Sequence, residues 1–164
     1  MTRTRDPIFV VLMVSVAILV TVFTSQYGFG LRPCQLCLYQ RVPYGVSIFL
    51  ALLALGLRLD AKKTSWVLWL CGLTFVVGAG LGLYHTGVEQ HWWAGPTSCS
   101  GGLGTVRSVE DLAALLSKPI DIPSCDKIAW QLFGISMAGY NMLASLALAG
   151  FSALSAQRLM DKAR

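Results

Sequence analysis

The chain has 164 residues, 55% of them hydrophobic and 13% charged, with a formal net charge of +5. Soluble domains carry about 25% charge. Here four uncharged runs, 7–31, 42–57, 64–88 and 128–157, take 96 positions. This excludes a disordered chain, leaves no polar face for an ordinary soluble domain, and offers no clustered basic surface for nucleic acid.

A membrane span needs about 20 mostly apolar residues at 1.5 Å each. The first run, 8–24, is apolar on every helical face. Arg3 and Arg5 before it would also suit a secretory signal. No small-x-small cleavage site follows at Thr24-Ser25-Gln26-Tyr27, so the run is read as a retained helix. The second run has only 16 residues and is too short to span alone. It spans if its helix begins near Pro33–Gln35, with proline at the first helical position. Cys34, Cys37 and Arg41 then lie in its first two turns.

The third run opens on Trp66 and closes on Tyr84, which suits an interfacial aromatic belt. His85 follows at that end, with His91-Trp92-Trp93 as an interfacial cluster. The fourth run opens on Trp130. Small residues, among them Gly78 and Gly82 in helix three and Gly139 and Ala144 in helix four, suit close packing. Asn141 is expected to make an interhelical hydrogen bond. The predicted architecture is an all-α membrane protein, a single integral membrane domain over residues 1–164. Its four helices cover about 8–26, 34–57, 65–85 and 129–155, with external loops at about 27–33 and 86–128.

Four spans put both termini on one side of the membrane. That side holds eight cations (Arg3, Arg5, Arg58, Lys62, Lys63, Arg158, Lys162, Arg164) against Asp6, Asp60 and Asp161. The opposite side balances five cations with five acids. The positive-inside rule therefore puts the termini in the cytoplasm. Four of the five cysteines, Cys34, Cys37, Cys99 and Cys125, then fall on the external side, where disulfides persist. Cys71 lies mid-helix and reads as a small buried hydrophobe.

Cys34-Gln35-Leu36-Cys37 places two sulfurs about one helical turn apart, able to close a disulfide or open to a dithiol. A helix start and Arg41, one turn beyond Cys37, favour a thiolate there. A structural disulfide is the plain alternative. Half a zinc site lacks a second C-x-x-C. Leu38 stands where c-type haem attachment needs histidine. Cys99 sits in a flexible Ser98-Cys99-Ser100-Gly101-Gly102 stretch, accessible to another protein. Between Cys99 and Cys125, residues 108–117 read as a short amphipathic helix in the outer interface, opened by a Ser108/Asp111 capping pattern. His85 alone is more often an interface residue than a ligand.

Cys34-Gln-Leu-Cys37-Leu-Tyr-Gln-Arg41, Cys99, and Cys125-Asp-Lys-Ile-Ala-Trp130 with Gly134 and Met137 together resemble the DsbB disulfide bond formation family over essentially the whole chain. The resemblance implies an inner-membrane oxidoreductase that reoxidises a periplasmic, thioredoxin-fold DsbA-type dithiol protein. Electrons would pass to a membrane quinone, ubiquinone or menaquinone, and the active site would face the periplasm. It further implies four catalytic cysteines. The partner attacks a Cys99–Cys125 disulfide at Cys99. Cys125 then attacks Cys34 of a Cys34–Cys37 disulfide, and Cys37 is released facing the quinone. Arg41, His85 and Cys37 would bind that quinone, with no metal involved. Two rivals remain: a structural four-helix protein with inert loop disulfides, and a vitamin K epoxide reductase-like quinone reductase. The second expects a C-x-x-C in a later helix, and helix four has no cysteine.

Overall fold

The structure, a computed structural model, describes residues 5–96 and 124–163. Helix α1 covers Asp6–Gly28. A short α2, Gln35–Tyr39, is followed by α3, Val42–Gly56. Then come α4, Ala61–Glu89, a two-stranded hairpin of β1 (Gln131–Leu132) and β2 (Ile135–Ser136), and α5, Met137–Lys162. Four helical segments are long and apolar enough to cross a membrane: α1, α2 with α3, α4 and α5.

The bundle is apolar on its outer face, and its core mixes apolar side chains such as Leu68 and Phe75 with buried hydroxyls. On α1 only Ile8, Val11, Leu12 and Ser15 are buried, one stripe at helical spacing. Phe9, Met13, Val20 and Phe23 face outward. Serines 15, 47, 65 and 145 are fully buried. With lipid as apolar as leucine, helices gain little by hiding leucines from it and associate through close contact and hydrogen bonds. Ser65 donates to the Ala156 carbonyl at 2.7 Å and Ser47 meets Thr74 at 2.8 Å. The Tyr44 hydroxyl donates to Asn141 Oδ1 at 2.7 Å and lies 3.0 Å from Ser145 Oγ. Asn141 thus makes the interhelical bond expected of it.

Helices α4 and α5 pack backbone against backbone at Gly82. A Cβ there would lie 2.9 Å from the Met142 nitrogen and 3.0 Å from its Cα. Gly82→Leu should therefore push the two backbones apart. We expect it to cost about 1–3 kcal/mol of stability, read as a lower thermal unfolding midpoint in detergent, whereas Gly80→Leu, with nothing within 4 Å of its Cβ position, should leave the midpoint unchanged.

Several element boundaries differ from the sequence expectation. The second span is broken at Gln40–Arg41, because Pro43 has no N–H to bond the Tyr39 carbonyl. Arg41 N bonds Leu38 O at 3.1 Å instead, a tight turn, before α3 resumes with Gly45 N on Arg41 O. Pro33 precedes the cap rather than opening the helix, since Cys34 is the N-cap of α2. The fourth helix begins at Met137, not near 129. Phe133 and Gly134 both have positive φ, 50° and 77°, the signature of a two-residue type I′ turn. Residues 131–136 accordingly form a hairpin, and Ser136 caps α5 by accepting from Gly139 N at 3.2 Å. Helix α4 runs one turn beyond His85, to Glu89. Cys99 and the amphipathic segment 108–117 lie outside the described residues.

Candidate functional site

The break after α2 turns two consecutive side chains in different directions. Gln40 is buried against α4, where its Nε2 lies 2.7 Å from His85 Nδ1. Arg41 swings to α1: its Nη1 donates to Gln26 Oε1 at 2.8 Å, and the guanidinium carbon lies 5.2 Å over the Phe23 ring. Sequence spacing put Arg41 on the face of Cys37 in one continuous helix. In the structure its contacts among the described residues are with α1, and it reaches the cysteines only across a shared cavity. A five-residue α2 also offers little dipole to the thiols, because the effect needs aligned peptides.

The two thiols are held at the start of α2. Cys34 Sγ accepts from the Cys37 backbone N–H at 3.4 Å and donates its proton to Cys37 Sγ at 3.1 Å. The two sulfurs and His85 Nε2 all lie within 4.8 Å of one another, close enough for thiol–disulfide exchange between the cysteines and also a donor set that could hold a metal ion. The donated hydrogen bond, and after it burial, push the Cys34 thiol from 9.0 up to about 12. Cys34 therefore keeps its proton at neutral pH, and Cys37 is the sulfur that receives a hydrogen bond.

Cys34 faces His85, whose Nε2 lies 3.5 Å from its sulfur. His85 is 3% exposed and Glu89, one helical turn on, is 7% exposed. Glu89 Oε1 lies 3.9 Å from His85 Nε2. Cys125, fully buried, packs with Cys34, Leu36 and Val88, and Cys37 lies against the same cluster. Three of the four expected cysteines are thus in one place, with His85 beside them. Cys99 lies outside the described residues.

A cavity of about 230 Å³ opens beside this cluster. Ile18, Leu19 and Val22 of α1 and Met137 of α5 supply apolar wall. Cys37, Arg41, His85, Glu89 and Asn141 supply its polar points. Two of these carry buried donors with no partner among the described residues: Arg41 Nε and Asn141 Nδ2. A buried donor left unpaired costs about 1–3 kcal/mol, so two of them on one apolar cavity mark it as built for a ligand with acceptor atoms. At the mouth end of α4, Trp93 Nε1 donates to Tyr84 O at 2.9 Å and its ring stacks on Tyr84. Trp92 and Phe133, the latter 90% exposed, stand outward at the same end, as interfacial anchors do.

Sequence reading passed over Gln26, Gln40 and Glu89. Of these, only Glu89 carried a signal, its four-residue spacing from His85 on one helix face.

The family model described as "Disulfide bond formation protein DsbB" matches residues 4–155. The chain is 32% identical over 154 residues to disulfide bond formation protein B 2 of Pseudomonas savastanoi, covering 90% of this chain and 85% of that one. Disulfide bond formation protein B of Dechloromonas aromatica is 30% identical over 131 residues, 76% of this chain and 74% of that one. An uncharacterized protein of Rickettsia prowazekii is 32% identical over 148 residues, covering 88% and 83%. No solved structure matches the chain.

Proposed function

Because the chain belongs to the DsbB family of disulfide bond formation proteins, we propose that it oxidises an external thioredoxin-fold dithiol protein of the DsbA type and passes the electrons to a membrane quinone. The observation that carries this is the junction of the Cys34–Cys37 pair with a cavity that has apolar walls and two unpartnered buried donors. A quinone ring is flat and apolar, with carbonyl acceptors at opposite edges, and it fits that donor set. Arg41 and Asn141 would hold the carbonyls, and Cys37 and His85 would border the ring. Ubiquinone and menaquinone both meet these requirements. The quinone supplies a two-electron acceptor.

The chain's own residues do the rest by thiol–disulfide exchange, in which a thiolate attacks one sulfur of a disulfide and the other leaves. The partner attacks a Cys99–Cys125 disulfide at Cys99 and forms a mixed disulfide. Cys125, packed against the C-x-x-C pair, then attacks Cys34. Cys37 leaves toward the cavity as a thiolate. The positive excess around the termini and residues 57–63 supports a cytoplasmic side for them in a bacterial inner membrane. The cysteine cluster then faces the periplasm.

A partner variant with a single thiol tests the order of exchange. With its second cysteine replaced by alanine, the partner should attack the Cys99–Cys125 disulfide of the oxidised chain and stay covalently attached at Cys99 while Cys125 leaves as a thiol, giving a complex that survives non-reducing denaturation and dissolves with reductant. No complex, or one joined through Cys34 or Cys37, would contradict the order proposed.

A further inference from the structure

Glu89 is the last residue of α4, where the negative end of the helix dipole disfavours an anion. It is 7% exposed, its Oε2 has no hydrogen-bond partner among the described residues, and its one ion-pair partner among them is His85. Each condition costs stability. A carboxylate kept in such a place, lining the cavity beside a thiol pair, suits a group that works on protons better than one that holds the fold. From this geometry we propose that Glu89 is the positioning residue of a proton relay that serves Cys34 through His85.

The proposal rests on the redox reading of the C-x-x-C pair. When a dithiol reduces the Cys34–Cys37 bond, that S–S bond breaks and one forms in the dithiol. Two electrons and two protons pass to the pair. Cys34 sulfur leaves with an electron pair in one of the exchanges. It is a poor leaving group, since its thiol holds its proton up to about 12, and exchange slows as the leaving thiol becomes more basic. His85 Nε2, 3.5 Å away, supplies the proton as the sulfur departs. The carboxylate of Glu89 balances the charge on the protonated ring, and after the transfer it takes a proton from water entering the cavity and passes it to Nε2, 3.9 Å away. Closing the bond runs the same path backward, with His85 taking the Cys34 proton. Gln40 keeps the ring in place for either direction: with its amide turned to accept from Nδ1–H, Nε2 can give and take the proton between the imidazolium and the neutral ring. The other charged or titratable groups around the relay are Cys37 beside Cys34, Cys125 packed on both, and Arg41, Arg32 and Lys127 on the cavity wall.

The test needs no quinone. The full chain in detergent is opened with a small dithiol and closed with a small disulfide. Labelling at Cys34 and Cys37 is followed by mass spectrometry of alkylated peptides. Glu89→Gln should slow both directions by about tenfold and leave the equilibrium ratio unchanged, because a relay lowers a barrier without favouring a side. Glu89→Asp should keep most of the rate. Formate should speed Glu89→Ala, and Glu89→Gln should add nothing once His85→Gln is present. Rates within about twofold of the unmodified chain, or an equilibrium ratio that moves with the rate, would overturn the relay and leave Glu89 a structural charge. If the unmodified chain's pair never cycles, the redox reading itself fails, a different result from a pair that cycles equally well without Glu89.

Discussion

Cys37→Ser should bring quinone reduction to background, a loss of about a thousandfold or more, as expected when a nucleophile is removed. Serine oxygen cannot form the disulfide bond that accepts the electrons, and at neutral pH a hydroxyl stays protonated where a thiol can ionise. The change is small in volume, at a half-buried position at the edge of the cysteine cluster, so the bundle should fold as before. A specific residue of activity should remain. The Cys99–Cys125 pair is not touched, so one equivalent of partner dithiol should still be oxidised per chain, without quinol. Thiol titration and quinone absorbance in one mixing experiment separate that single turnover from the steady state. The rival of inert loop disulfides expects no such burst.

Arg41→Met should act differently, on quinone binding. The guanidinium is anchored by Gln26 and Phe23 on the cavity wall, and its Nε has no partner among the described residues. A hydrogen bond from a charged donor is worth about 1.5–3 kcal/mol, so the quinone KM should rise by about ten- to a hundredfold. The single-turnover exchange with the partner should be unchanged. Gln26→Leu should move KM the same way by less, since it frees the guanidinium without removing it. Steady-state rates across quinone concentrations read both. An unchanged KM in Arg41→Met would assign the cavity donor role to Asn141 alone.

The spans were legible because lipid imposes one simple demand, a long uncharged run, and the charges marked where each run ended. What the pattern could not convey was local backbone chemistry within a run. Pro43 breaks the second span at Gln40–Arg41, and that break separates Arg41 from the face of Cys37. The Phe133-Gly134 turn converts the expected start of helix four into a hairpin. Hydropathy is blind to both, since neither adds a charge. In the site, Cys34, Cys37 and Arg41 were visible as a spaced motif, and His85 as a histidine at the right end of a span. Gln26 and Gln40 were not, because a single polar residue in an apolar helix has no period to betray it. Their meaning comes from the partner each meets on another helix, Arg41 across from α1 and His85 on α4.

Glu89 was overlooked for a related reason. Reading helix three as ending at His85 placed it in a loop, where a carboxylate needs no explanation. One more helical turn carries it back under His85 and into the cavity wall.

The most direct measurement combines purified chain, a quinone in detergent or lipid, and a reduced thioredoxin-fold dithiol protein, with both products counted. The account predicts one quinol formed for each partner disulfide, with both absent when the quinone is withheld beyond the first equivalents. Partner oxidation that continues without quinol, or quinol formed without loss of thiols, would contradict it.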